Sequence, residues 1–276
     1  MKIIKFIRFI IPAVTLSLYS CSMAITCIDE SVLPPSTPTD SILIFREQAR
    51  LGDGHAYLQL ARRYHDGNGV EHDFLTMWNM LEMAIQYGAI DSSATFLMSY
   101  PAEDPDRLLA EAMTDIGTAR CDLAMEVAER LDLLNHPYAF LIRGAIAQKE
   151  NNDEESLSHL RIAADNGIVI AEMLIAVAER GRDALWTFAD RVPILYCFMA
   201  RNYADSYNVV TGDGCTDEQA GLAAYYYRKA YENLCLDDVG VRWLYNYYVH
   251  LETTGSTAAD GTMKENLRLL TTRIAH

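Results

Sequence analysis

The sequence predicts an all-α chain built from stacked antiparallel helix hairpins, about five to six irregular units. Three observations carry this expectation. Two amphipathic segments flank a tight glycine loop between Gly54 and Gly88. Helical patterns then follow one another from Ser41 to the C-terminus, with caps and breakers between them. Alternating runs rich in Val, Ile and Thr, the mark of half-buried strands, are missing.

In the clearest segment Ala56, Leu60, Ala61 and Tyr64 recur at helical spacing, and Met77, Met80, Leu81 and Ala84 do so after the loop. Gly67 and Gly69 supply the turn and Gly88 closes the run. Each helix is only about three turns long, so it must pair with the other and then stack on neighbours. The pattern Ala56-x3-Leu60-Ala61-x2-Tyr64-x2-Gly67-x-Gly69-Val70-x2-Asp73, then Ala84-x3-Gly88, closely resembles a Sel1-like repeat, a relative of the tetratricopeptide repeat. Met77, Leu81 and Met83 depart from it. The resemblance implies a right-handed α-solenoid whose work is protein–protein contact.

The 276-residue chain carries a net charge of -15, which argues against a nucleic-acid partner and against simple adsorption to an anionic leaflet. Lys2, Lys5 and Arg8 precede the apolar run Phe9 to Leu18, the layout of a signal peptide over residues 1–20. That run is too short for a comfortable membrane span. Leu18-Tyr19-Ser20-Cys21 resembles a bacterial lipobox with Cys21 as the acylated residue. The alternatives are an ordinary cleaved signal or an uncleaved anchor. Ser22 after the cysteine implies, by the same resemblance, sorting to an outer membrane. Residues 21–40, with Pro34, Pro35 and Pro38, read as an extended tether before a repeat domain over 41–276.

Within that domain, Ala49-x2-Gly52 echoes the repeat's close, so the helix before Gly52 is the second half of a truncated unit. Ser92–Tyr100 forms one helix, and Asp104-Pro105 starts the next with an N-cap and a proline at the first position. Further helices run over Thr118–Leu134, Pro137–Lys149, the segment holding Leu157, Leu160 and Ala164, and Ile168–Arg180. Ala163-x3-Gly167 repeats the close, and the stretch from Gly88 to Gly167 holds two irregular units. A short helix spans Asp183–Asp190. Pro193–Ala204 and the helix after Thr216 make a second hairpin, with Gly212 and Gly214 in a longer loop and Thr216-x2-Gln219 as a capping box. Val239–Leu251 and Met263–Ile274 finish the stack, the last as a terminal cap.

Few residues suggest chemistry. His55, His65 and His72 lack zinc-ligand spacing, and the loop at Asp66 lacks the later ligands of a calcium site. No catalytic motif is recognisable and Glu154-Glu155 point different ways on one helix, so no catalytic residue, metal or cofactor is assigned. Aromatic density is the strongest signal outside the framework. Tyr225, Tyr226 and Tyr227 span about 200° of a helix, so at least one is exposed or lines a concave surface. Tyr207, Tyr225, Tyr226, Trp243 and Tyr247 are the candidate partner-binding residues; the alternative is a set of core tyrosines with hydroxyls at the rim. Cys215 and Cys235 flank one helix and are too far apart to bridge. A hairpin brings Cys197 beside Cys235, the one candidate disulfide, with free buried thiols as the alternative.

The sequence therefore points to a lipid-anchored scaffold or adaptor of the cell envelope that binds protein partners and meets the membrane only through its lipid. Two rival readings stand beside it: a peptidoglycan-related enzyme or accessory, and a glycan- or nutrient-binding lipoprotein.

Overall fold

The structure is a computed structural model that describes residues 38–204, 217–256 and 260–274. These residues form thirteen α-helices and two short 3-10 segments, with no strand among them. Neighbouring helices pack in pairs, an all-α, solenoid-like arrangement. The described residues divide into two compact units. One is 94–188; the other joins 38–93 to everything described after residue 188. The leader, Cys21, Cys27 and the tether up to residue 37 lie outside the described residues. The first helix, α1 (Pro38–Arg50), starts within the stretch read as tether, with proline at its first position, where its missing N–H costs nothing.

The Sel1-like segment folds as the hairpin α2 (Gly54–Asp66) and α3 (Phe74–Gln86). Both helices are capped by aspartate. Asp53 accepts from the His55 and Ala56 amides at 2.9 and 3.2 Å. Asp73 accepts from Leu75 and Thr76 at 3.0 and 3.2 Å. Gly67 and Gly69 take φ of 64° and 81°, so the loop turns through left-handed backbone. The Asp73 amide then donates to the Tyr64 carbonyl at 3.1 Å, tying the loop's two ends. Leu60, Ala61, Met77 and Ala84 are fully buried between the helices.

One device ends most of the helices. A residue with positive φ follows the last turn, and the next amide reaches back five residues to a carbonyl near the helix end. It occurs at Gly52, Gly88, Ala119, Asn135, Asn151, Gly167, Leu234 and Gly255, with these bonds between 2.8 and 3.2 Å. The Ala-x3-Gly signature now has a physical meaning: Ala84 and Ala163 offer the accepting carbonyl, and Gly88 and Gly167 the left-handed backbone.

In the 94–188 unit this device recurs at 119, 135, 151 and 167, every 16 residues. It separates α5 (Pro105–Gly117), α6 (Cys121–Leu133), α7 (Tyr138–Lys149), α8 (Asp153–Asp165) and α9 (Val169–Arg180). Asp104 caps α5 through the Arg107 amide at 3.0 Å, ahead of Pro105. Leu108, Leu109, Ala112, Ala128, Leu131, Leu141 and Ile142 are fully buried. Helices α7 and α8 approach closely at Gly144, where a Cβ would lie 2.8 Å from Leu160, and Ser156 donates its hydroxyl to the Gly144 carbonyl.

Two elements differ from expectation. The single helix over Ser92–Tyr100 is α4 (Ile90–Phe96) followed by a 3-10 turn, Leu97–Ser99. Pro101 holds Tyr100 extended and stops the helix early. The segment after Gly181 is 3-10 over Arg182–Phe188 rather than a helix to Asp190.

The other unit is discontinuous in sequence. Beside α1–α3 it contains α10 (Leu195–Ala204), α11 (Asp217–Glu232), α12 (Asp238–Thr253) and α13 (Gly261–Arg273). Arg273 donates to the Leu51 carbonyl, 222 positions away. A Cβ on Gly52 would meet Leu270 at 2.9 Å, and Gln86 donates to the Leu236 carbonyl at 3.5 Å. A simple array in which each repeat touches only its sequence neighbours lacks such contacts.

The closures yield opposite predictions at two positions. Ala119 is exposed with φ 68°, a conformation costing an alanine about 1–2 kcal/mol. Ala119→Gly should raise the melting temperature by about 1–3 °C, after the greater freedom of glycine in the unfolded chain is subtracted. Gly88 has φ 90° and open space around its Cβ position. Gly88→Ala should therefore destabilise by about 1–2 kcal/mol through backbone strain alone. Calorimetry on the two variants measures both signs.

Candidate partner-binding face

Helix α11 places its three consecutive tyrosines in three environments. Tyr227 is fully buried, Tyr226 is half-buried and Tyr225 is 46% exposed. This follows from the 100° step between residues on a helix whose alanines, Ala220, Ala223, Ala224 and Ala230, all face the interior. Tyr226 stacks on Tyr203 of α10 at 5.9 Å and 18°, and on Tyr196 at 6.3 Å and 20°. Tyr225 meets Tyr226 edge-on at 5.2 Å, and the Lys229 ammonium lies 5.9 Å from the Tyr225 ring centre. The base of this stack is fixed by the Tyr196 hydroxyl, which donates to Asp190. Burial, first, and neighbouring tyrosines push the Tyr226 hydroxyl above its usual range, so it stays protonated and neutral.

On the next helix, Trp243 and Tyr247 are half-buried, stacked at 5.4 Å and 13°, and pack on Ala220. Tyr227 meets Trp243 at 5.3 Å, joining them to the core. Of the five candidate residues, Tyr225 is the most exposed among the described ones. Tyr226, Trp243 and Tyr247 contribute partly, and Tyr207 lies outside the described residues, as do Gly212, Gly214, Cys215 and Thr216.

Cys197 and Cys235 do lie side by side, but the candidate disulfide is not formed: both are free, buried thiols. Each donates instead to a backbone carbonyl, Cys197 to Cys235 at 3.1 Å and Cys235 to Ala230 at 3.3 Å. Burial pushes both thiols well above their usual range.

Sequence reasoning missed a second set of groups, where α3 meets the α11–α12 turn. Trp78 donates its indole N–H to Glu82 at 3.1 Å. Asp237 caps α12 through the Gly240 amide at 2.8 Å and pairs with Arg201 of α10. Nothing in a Trp-x3-Glu spacing distinguishes such a carboxylate from an ordinary solvated one. A cleft of about 340 Å³ also opens in this unit, lined in part by Asp53, His55, Tyr87 and Arg273. Its charged groups are committed: Asp53 caps α2 and Arg273 holds the Leu51 carbonyl.

Among the described residues no group of three or more His, Cys, Asp or Glu side chains is placed to hold a metal. No described helix is long and apolar enough to cross a membrane. Comparison with protein-family models, curated proteins and solved structures returns no match.

The stack predicts a contrast between adjacent tyrosines. Tyr226→Ala should cost about 2–4 kcal/mol by removing a ring packed between two others, whereas Tyr225→Ala should stay within about 0.5–1 kcal/mol. Denaturant titration of both variants distinguishes a framework ring from a surface one.

Proposed function

We propose that this chain is a lipid-anchored scaffold of the cell envelope that holds a protein partner on the tyrosine-bearing face of α10 and α11. The observation that carries the reading is the Tyr225 ring, 46% exposed yet backed edge-on by Tyr226, which is itself stacked on Tyr196 and Tyr203. A rigid ring loses little conformational freedom on binding and offers both apolar area and a hydroxyl, which is what a recognition anchor needs. The paired-helix architecture and the Sel1-like pattern over 54–88 support an adaptor, with no chemistry of its own. The basic and apolar leader ending at Cys21 supports export and acylation, with an outer membrane as destination and the lipid as the only membrane contact.

Two measurements on the full chain in its native membranes test this. A photo-crosslinking phenylalanine analogue at position 225 should give discrete protein adducts, while the same probe at Leu133, 84% exposed in the other unit, should not. Equal labelling from both positions, or none from 225, removes the face as a partner site. Cys21→Ser should yield a form lacking lipid that no longer partitions with membranes as the parent does. Unchanged mass and unchanged partitioning would remove the anchor.

A further inference from the structure

Helix α11 carries a glycine that its own structure does not call for. Gly221 is the fifth of the sixteen residues of α11, and its backbone is ordinary right-handed helix. Glycine inside a helix lowers stability relative to almost any other residue, so an interior glycine needs a reason. At Gly144 and Gly240 the reason is room: an added Cβ would lie 2.8 Å from Leu160 and 2.5 Å from Leu236. At Gly221 nothing among the described residues lies within 4 Å of that position. Neither backbone conformation nor packing within the described residues asks for glycine there. One turn further on is Tyr225, at i+4 on the same face and 46% exposed. Helical side chains lean towards the N-terminus, so this ring lies over the turn that holds Gly221. Half-buried Leu222 borders the same spot. The helix surface therefore has a notch, with a bare peptide floor and the Tyr225 ring as one wall.

The charges around the notch are placed unevenly. Lys229 follows Tyr225 at i+4, its ammonium 5.9 Å from the ring centre and 3.6 Å from Glu232. An exposed pair of that kind is weak and is readily exchanged for another carboxylate. Arg228 is turned to Tyr248 of α12, and exposed Glu218 stands at the opposite end, one turn before Leu222. The Tyr225 side is thus positive and the far side negative. We propose that this notch is where the partner docks: a protein segment seats a bulky apolar side chain on the bare backbone at Gly221, against the Tyr225 ring, and presents a carboxylate beside it to Lys229. The inference rests on the recognition role proposed for Tyr225 and names the chemistry that this ring meets. Bare backbone lets another chain come closer than any side chain allows, and the ring shields the inserted group from water, which strengthens the ion pair at its edge. A glycine that weakens the free helix makes sense when its space is filled by another chain.

The experiment uses the full chain in its native membranes, with the photo-crosslinking phenylalanine analogue at position 225, and adds Gly221→Leu, Lys229→Gln or Glu232→Gln. Gly221→Leu should raise the melting temperature by about 1–3 °C, because a better helix former replaces glycine in open space. The same variant should cut the yield of protein adducts by about tenfold. Lys229→Gln should lower the yield by about threefold, and Glu232→Gln, which releases Lys229 from its pair within the chain, should raise it. A fall in melting temperature for Gly221→Leu would show that the chain itself fills the notch. Adduct yields unchanged in any of the three variants would show that the partner does not use it. Either result overturns the proposal. No adducts from position 225 in the otherwise unsubstituted chain would remove the Tyr225 reading itself, and this inference with it.

Discussion

A helix of about thirteen residues cannot bury its apolar stripe against itself, so the chain must reverse cleanly after each one. The reversal used here is a single residue of positive φ, followed by an amide that reaches back to the helix end. It satisfies carbonyls that would otherwise be left open and sets the angle at which the next helix departs. The regular 16-residue recurrence through α5–α8 follows from it: about thirteen helical residues, then three for the turn. Close packing of the pairs then depends on small residues at the contact, such as Gly144 against Leu160 and Gly54 against the Ala84 and Tyr87 carbonyls.

The same packing logic closes one unit on itself. Gly240 admits Tyr227 and Leu236, where a Cβ would lie 2.5 to 2.9 Å from both, and this sets α12 against α11. The turn so formed meets α3, and α13 meets the α1–α2 turn. The stacked tyrosines therefore belong to the same compact unit as the N-terminal hairpin. The recognition role proposed for Tyr225 would draw on this, since a ring held in place before a partner arrives loses less entropy on binding.

Much of this was legible in the sequence. Asp104 caps the helix it precedes, and Gly67 and Gly69 turn the loop as their spacing implied. Tyr225 and Tyr227 separate by helix periodicity alone. Three things were hidden. Closures at Ala119, Asn135, Asn151 and Leu234 carry no glycine, so the residue type that usually marks left-handed backbone does not announce them. Contacts between Leu51 and Arg273, or Gln86 and Leu236, leave no periodic trace. The Cys197–Cys235 adjacency was readable from the hairpin, while the choice of carbonyls over a disulfide was not.

The account stands on the discontinuous unit, since the aromatic base depends on N- and C-terminal helices belonging to one compact body. Native-state hydrogen exchange of the full chain, followed by mass spectrometry across increasing denaturant, measures this directly. The slowest amides of α2–α3 and of α11–α12 should open with the same free energy and the same denaturant dependence, as one cooperative unit. If α2–α3 opened independently, while α11–α12 kept its full protection, the two would not share a core and the account would be contradicted.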